Sequence, residues 1–322
     1  MKLTRYDENI HVFWDDFVKE ANNGTIFHER KFLNYHPKGR FNDHSLVFME
    51  RNKVAAVFPA VDIELDGQRV LLSHRGSSYG GIVQPLNQGV EKNVKMVKAL
   101  SEYAKSEGFD SIIMTLAPDI YNQQLNNYLE FACFLEGYTY FKREISSVLK
   151  LEDTIEKNIA KFKGTHRTAY RRGEKMGVKV RETDDYEVFY SILKSNLKIR
   201  HGVNPTHTLD ELKKLKALYP DRIHLYAAYL EESMIAGIVM FDTNDLVTLA
   251  FYISHDEAYQ EYRGVNVLFK EVIEDSIKRG FHYLDYGIFT VNMEPNYGLA
   301  RFKENFGSGG IFRDTLKLDI EY

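Results

Sequence analysis

Apolar positions along the chain switch between a period of two and a period of three to four, and the switches mark out its elements. Asn9 precedes a helical pattern that sets Ile10, Phe13, Trp14 and Phe17 on one face, and a second short helix is expected over HERKFLNYH. SLVFMERN and KVAAVFPAVDIEL alternate as strands about a tight turn, and Asp66-Gly67 turns the chain into RVLLSH. The glycine-rich stretch HRGSSYGGIVQP leads into a helix ending near residue 107. The strand DSIIMTL, a helix near 122–134 and the strand YTYFKREISSVLKL follow.

The remainder repeats this plan. A basic helical stretch over about 153–176 leads into VKVRE, and helices are expected near 184–200 and 208–218. IHLYAAYLE, SMIAGIVMFD and LVTLAFYIS read as a meander. Helix 264–279, strand FHYLDYGIF, helix 297–306 and a last strand FRDTLKLDIEY close the chain. KSEGFDSIIMTL parallels IKRGFHYLDYGI, and FMERNKVAAVFPA parallels YLEESMIAGIVMF in the same order. Two such matches favour a duplicated α/β (α+β, mixed-sheet) domain over a coincidence of common strand–turn words. The expected division is 1–150 and 151–322.

At 322 residues the chain is long for one domain and comfortable for two. No apolar run approaches the ~18–20 residues of a membrane span, and MKLTRYDENI lacks the apolar core of a signal peptide, so the cytoplasm is the expected compartment. Cys133 is the single cysteine, which excludes a disulfide framework and a thiolate metal cluster. HExxH, paired Cys or His spacings and GxxxxGK[ST] are missing, so neither a metal nor ATP is indicated. The formal charge of −4 argues against a general nucleic-acid binder. Residues 157–181, however, hold nine Lys or Arg against one acid, Glu174.

A meander followed by helix, strand, helix and strand resembles the GNAT acyltransferase fold. The runs HRTAYRRGEKMGVKV, YRGVNVLFKEVIEDSIKRGFHYLDYG and GLARFKENFG together resemble the FemAB-type aminoacyltransferase family, with Phe302-Lys303 before Phe306-Gly307 as the most specific element. The resemblance implies two tandem GNAT-like domains and transfer of an amino acid from aminoacyl-tRNA to a peptidoglycan precursor. The long coiled-coil arm common in members that use tRNA has no counterpart here, as no heptad run of that length exists.

Candidate chemistry follows from these motifs. In GLARFKENFG, Leu299, Phe302 and Phe306 trace an apolar helix face and Gly307 falls where a left-handed cap belongs. Lys303 is then either a solvated side chain or a fixed cation for the oxyanion of amide formation. The family resemblance implies the second role, with Phe302 shaping the cleft. Lys163, Arg167, Arg171 and Lys175 recur every four residues, joined by Arg172, and Ile155, Ile159, Phe162 and His166 trace the opposite, core-seeking face. If the helix is continuous past Gly164, these residues line one stripe; it suits a nucleotide-linked sugar, a lipid diphosphate or tRNA, and a solvated charged face is the other reading.

Arg263, within EYRGVNVLFKEV, is a further substrate-binding candidate. The acetyl-CoA motif (Gln/Arg)-x-x-Gly-x-(Gly/Ala), counted from Arg263, meets Asn266 and Leu268, where side chains obstruct close backbone approach. This counts against acetyl-CoA. Asp285, inside an apolar strand, must be paired or protonated; it either orients or deprotonates an attacking amine, or holds a structural hydrogen bond. His74, Arg75, Ser77 and Tyr79 line a substrate groove or form a glycine-rich connector.

The sequence therefore predicts a transferase moving an acyl or aminoacyl group to an amine of a cell-envelope precursor. The donor would be aminoacyl-tRNA, with no permanently bound cofactor, and the partner a phosphate-bearing precursor or nucleotide-sugar. An acyl-CoA N-acyltransferase using acetyl-CoA, and a non-catalytic GNAT-like scaffold, are the alternatives.

Overall fold

The computed structural model describes residues 1–201 and 205–321, and the side chains of residues 10–12, the expected apolar position Ile10 among them, and of residues 198–201 lie outside what it describes. The chain forms two compact units, Met1–Glu144 with Phe312–Tyr322, and Ile145–Ile311. The first boundary falls at 144/145, near the expected 150/151, and the last residues return to the first unit. Among the described residues no helix is long and apolar enough to cross a membrane.

In the first unit, β1 (Lys2–Arg5), β2 (Leu46–Glu50) and β3 (Lys53–Phe58) form a small antiparallel sheet beside α1 (His11–Glu20) and α2 (Arg30–Leu33). The expected single strand KVAAVFPAVDIEL is broken at Pro59, which has no N–H for a ladder. The chain resumes as β4 (Ala60–Leu65), then β5 (Gln68–Ser73), α3 (Val90–Ser106), β6 (Ser111–Thr115), α4 (Tyr128–Leu135) and β7 (Thr139–Lys150). Met96, Val97, Leu100 and Ala104 of α3 bury against Ile112 and Met114 of β6 and against Leu129, Ala132 and Cys133 of α4. On α1 the buried positions are Trp14 and Val18, whereas Phe13 is 64% exposed, so the expected apolar face is turned by about one residue.

In the second unit, α5 (Ile155–Ala160), α6 (Gly164–Lys175) and β8 (Lys179–Glu182) are followed by α7 (Tyr186–His201) and α8 (Leu209–Leu218). The meander is β9 (Ile223–Leu230), β10 (Ser233–Asp242) and β11 (Val247–His255). Then come α9 (Gly264–Lys278), β12 (Tyr283–Ile288), the short pair β13 (Thr290–Val291) and β14 (Glu294–Pro295) and α10 (Tyr297–Glu304), after which β15 (Gly309–Asp319) returns to the first unit and pairs antiparallel with β6. Strand order runs β7-β12-β11-β10-β9-β8. Helix α9 packs Val267, Leu268, Phe269, Val272 and Ile273 onto Ile235, Ala236 and Ile238 of β10, with Leu284, Tyr286, Phe162 and Phe306 closing the same core.

The repeat predicted from the sequence is visible as a shared crossover. Strand β5 pairs parallel with β6 across α3, and β11 pairs parallel with β12 across α9. The left-handed Gly108 and Gly280 occupy equivalent turns after the two helices. The hairpins differ: β9–β10 continues into β11, while β2–β3 pairs outward with β1.

Phe306 is wholly buried, its ring 4.1 Å from that of Phe269 and 5.2 Å from that of Phe162. Phe306→Ala is expected to lower stability by ~3–5 kcal/mol, and the exposed Phe13→Ala by ~0.5 kcal/mol or less, in urea unfolding. Similar shifts for both would contradict this packing.

Candidate active site

The site begins with a defect in the β7–β12 ladder. Asp285 pairs with Val148 and Ile288 with Ser146, so β12 carries one residue more than its partner over this span, a bulge. Gly287 sits inside it at φ +73°, a conformation that disfavours any side chain. The carbonyls of Gly287 and Ile288 both receive hydrogen bonds from Lys303 Nζ, at 2.7 Å and 2.8 Å.

Lys303 comes from α10, a helix begun by Asn296, whose side chain accepts a hydrogen bond from Leu299 N, and followed by Gly307 at φ +83°. The expected inward face is corrected here. Leu299 is exposed, Phe302 is half-buried, and Ala300, Lys303 and Phe306 point inward. Lys303 is 4% exposed, which rules out the solvated-lysine reading. Phe302 lies beside Phe269 and Phe306, with ring centroids 5.9 Å and 5.2 Å away.

Burial pushes the Lys303 amine down to about 8, against the opposing pull of the Asp285 charge. Asp285 is itself fully buried, and one of its oxygens accepts the Gly287 N–H at 2.7 Å. That bond fixes the bulge that Lys303 caps, and the Asp285 charge also bears on the lysine. An ammonium has three donors. Two are taken by the carbonyls, which leaves a third.

The basic stretch is not one helix. The chain breaks between Ala160 and Gly164, so the stripe is not continuous as expected. Arg167 closes the break, its guanidinium donating to Ala160 O at 3.1 Å and Phe162 O at 2.6 Å. Lys163, Arg171, Arg172 and Lys175 are exposed, and among the described residues none of them has an ion-pair partner. Ile159 and Phe162 are buried as expected.

His166 does something the pattern did not reveal. Its Nδ1 accepts from the Asn266 side-chain amide at 2.9 Å, and its ring stands edge-on to Phe306 at 4.8 Å. Burial, then the charges of Lys163 and Arg263, hold it below the ordinary histidine value. Asn266 is therefore occupied at the position where the acetyl-CoA motif has glycine, and Leu268 is fully buried in the core. Arg263 is exposed, at φ +59° immediately before α9.

In the first unit the candidates separate. Tyr79 is 2% exposed, its hydroxyl 3.0 Å from that of Tyr121 and Arg313 5.0 Å over its ring, so it braces the fold and lines no groove. His74 is buried and held down to about 4, mainly by burial, and Ser77 Oγ lies 2.7 Å from Tyr79 O. Arg75 alone of these is exposed.

Residues 160–304 match the family model described as an acetyltransferase (GNAT) domain. No curated protein matches the sequence. Among solved structures the chain is similar to FemX, with a TM-score of 0.76 and 12% identity over 99% of this chain and 97% of that one. L-PGS from Bacillus licheniformis matches at 0.60 and 12% identity, covering 97% and 92%. A tandem GNAT protein from the clavulanic acid biosynthesis pathway matches at 0.55 and 10%, covering 100% and 99%. The fold is thus the one shared with FemX and with the tandem GNAT protein, and the stretch matched by the GNAT family model lies within the second unit.

The buried amine makes a stability prediction. An unfolded lysine stays protonated to about 10.5, while Lys303 in the fold releases its proton near 8. Between these values the unfolded chain binds more protons. Stability of the native protein relative to Lys303→Met should therefore rise with pH from about 8 to 10.5, by up to ~1.4 kcal/mol per unit, and stay level below 8. Urea midpoints of both proteins across this range measure it; a pH-independent difference would contradict the assignment.

Proposed function

We propose that the protein transfers an aminoacyl group from aminoacyl-tRNA to an amine of a phosphate-bearing cell-envelope precursor. The observation that carries this reading is the buried Lys303 amine, with two donors fixed on the Gly287 and Ile288 carbonyls and a third available. The acceptor amine attacks the acyl carbonyl, a C–N bond forms and the ester C–O bond breaks. The proton lost by the amine ends on the departing hydroxyl. Between these events the carbonyl oxygen carries negative charge, and a cation already held in place stabilises it without reorganising. Asp285 acts through the bulge and through its charge on Lys303.

Support for an envelope substrate comes from the likeness to FemX and L-PGS, and support for a phosphate-bearing one from the exposed Lys163, Arg171, Arg172, Lys175 and Arg263. Arg167 is left out of that set because its guanidinium is committed to backbone carbonyls. Asn266 and Leu268 favour aminoacyl-tRNA as donor. The acetyltransferase family model favours acetyl-CoA, so the donor is the first variable to test.

Labelled aminoacyl-tRNA and labelled acetyl-CoA, each offered with a UDP-linked muropeptide, separate the two donors. Transfer from the tRNA alone is expected, and transfer from acetyl-CoA alone would overturn the reading. Lys303→Ala should lower turnover ~10²-fold or more, and a loss within about threefold would contradict the oxyanion role. Native turnover should decline as pH rises through about 8, because the stabilising charge is lost there. Arg171→Ser with Arg172→Ser should raise KM for the precursor and leave kcat close to native.

A further inference from the structure

His224, near the start of β9, is enclosed by acceptors on both sides of its ring. Its side chain is 12% exposed. Nδ1 lies 2.7 Å from the carboxylate of Glu182, the last residue of β8. Nε2 lies 3.3 Å from the carboxylate of Asp242, the last residue of β10, and 3.2 Å from the Asp221 carbonyl. A neutral imidazole donates from one nitrogen and accepts at the other, so it can answer only one side. The imidazolium donates from both and is the form that fits these surroundings.

The charges around the ring alternate in sign. Lys216 of α8 stands 3.8 Å from Glu182 and 3.9 Å from Asp184. Arg279, just after α9, pairs with Asp242 and lies 3.5 Å from Asp275, which accepts from the Tyr226 hydroxyl at 2.6 Å. The Tyr226 ring lies beside that of His224, with centroids 6.2 Å apart. Thr248 donates to the Asp242 carboxylate at 2.7 Å, and Arg222 to the Asp242 carbonyl at 2.9 Å. Burial alone would lower the proton affinity of the ring. Asp242 and Glu182 outweigh it and hold His224 above the ordinary histidine value.

The two carboxylates differ in what they keep when the ring loses a proton. The Asp242 side chain is 4% exposed and retains Arg279 and Thr248 in either state. The Glu182 side chain is 47% exposed and can turn to water. A lone pair facing a buried carboxylate costs more than one facing a solvated carboxylate, so the remaining proton stays on Nε2. Nδ1 then presents a lone pair to Glu182, and that bond is lost. Its loss falls on the weakest strand of the unit. β8 has four residues, stands last in the sheet order and pairs with β9. Just beyond Glu182, Thr183 donates its N–H to Leu225 O at 2.9 Å.

We propose that His224 and Glu182 form a proton-operated clasp that fastens edge strand β8 to the sheet, closed while the ring carries both protons and open once it loses one. The clasp is independent of Lys303 and of the transfer chemistry. Because the folded ring holds its second proton more tightly than the unfolded chain does, the fastening is complete below 6.5 and fades as pH rises through the folded value.

Amide exchange of the full chain reads the clasp at Thr183. Its protection factor should fall about fivefold between about pH 6 and about pH 8.5, the loss of one half-exposed charge-assisted bond. The Asp242 amide, which donates to Arg222 O at 2.8 Å, should keep its protection, since that side of the ring does not open. Glu182→Gln, whose amide can pair with either form of the ring, should abolish the fall and lower the pH at which the His224 ring protons titrate in NMR. Lys303→Met should leave the fall in place, which separates it from titration of the buried lysine. A level Thr183 protection factor in the native protein, or a His224 midpoint at or below 6.5, would overturn the proposal. So would the same fall in Glu182→Gln, or its disappearance in Lys303→Met.

Discussion

The bond between the Lys303 ammonium and the carbonyls of Gly287 and Ile288 is the constraint around which the second unit is arranged. A buried cation is costly unless its donors are met. A regular ladder commits its carbonyls to the neighbouring strand. The bulge in β12 releases two of them, and Gly287 permits the turn that aims them at one point. Asp285 holds the turn through the Gly287 N–H and supplies a negative charge that bears on the lysine. The defect in the sheet and the buried amine therefore explain each other.

Phe306 keeps α10 at the distance this bond requires. It packs into the Phe269 and Phe162 cluster one turn beyond Lys303, and the Tyr286 hydroxyl donates to its carbonyl at 3.4 Å. The same ring meets His166, whose bond to Asn266 ties α6 to the start of α9. The basic residues thus divide by role. Arg167 finishes the carbonyls where the chain breaks between α5 and α6, and its exposed neighbours remain available to an anionic ligand.

Much of the fold was legible because strand alternation and helical spacing survive in it, and the parallel between Gly108-Phe109 and Gly280-Phe281 marks two equivalent crossovers. What escaped depended on contacts distant in sequence. Period alone placed Leu299 inward and Lys303 outward, because a lysine scores as polar whether or not carbonyls await it. The break after Ala160 falls just before Gly164, the residue on which continuity of the helical pattern depended, and Pro59 splits what reads as one strand. Tyr79 was expected at a groove, yet its hydroxyl is taken by Tyr121. Gly287 was the available signal for the bulge, since a glycine inside an apolar strand often marks one.

The central claim is that Lys303 is a desolvated amine whose charge is poised near neutrality, and its titration tests this most directly. In protein carrying 13C-labelled lysine, with the Lys303 resonance assigned by its loss in Lys303→Arg, the chemical shift followed against pH gives the midpoint. The account predicts a transition near 8. A midpoint at the ordinary lysine value of 10.5 would mean a solvated side chain and would contradict it.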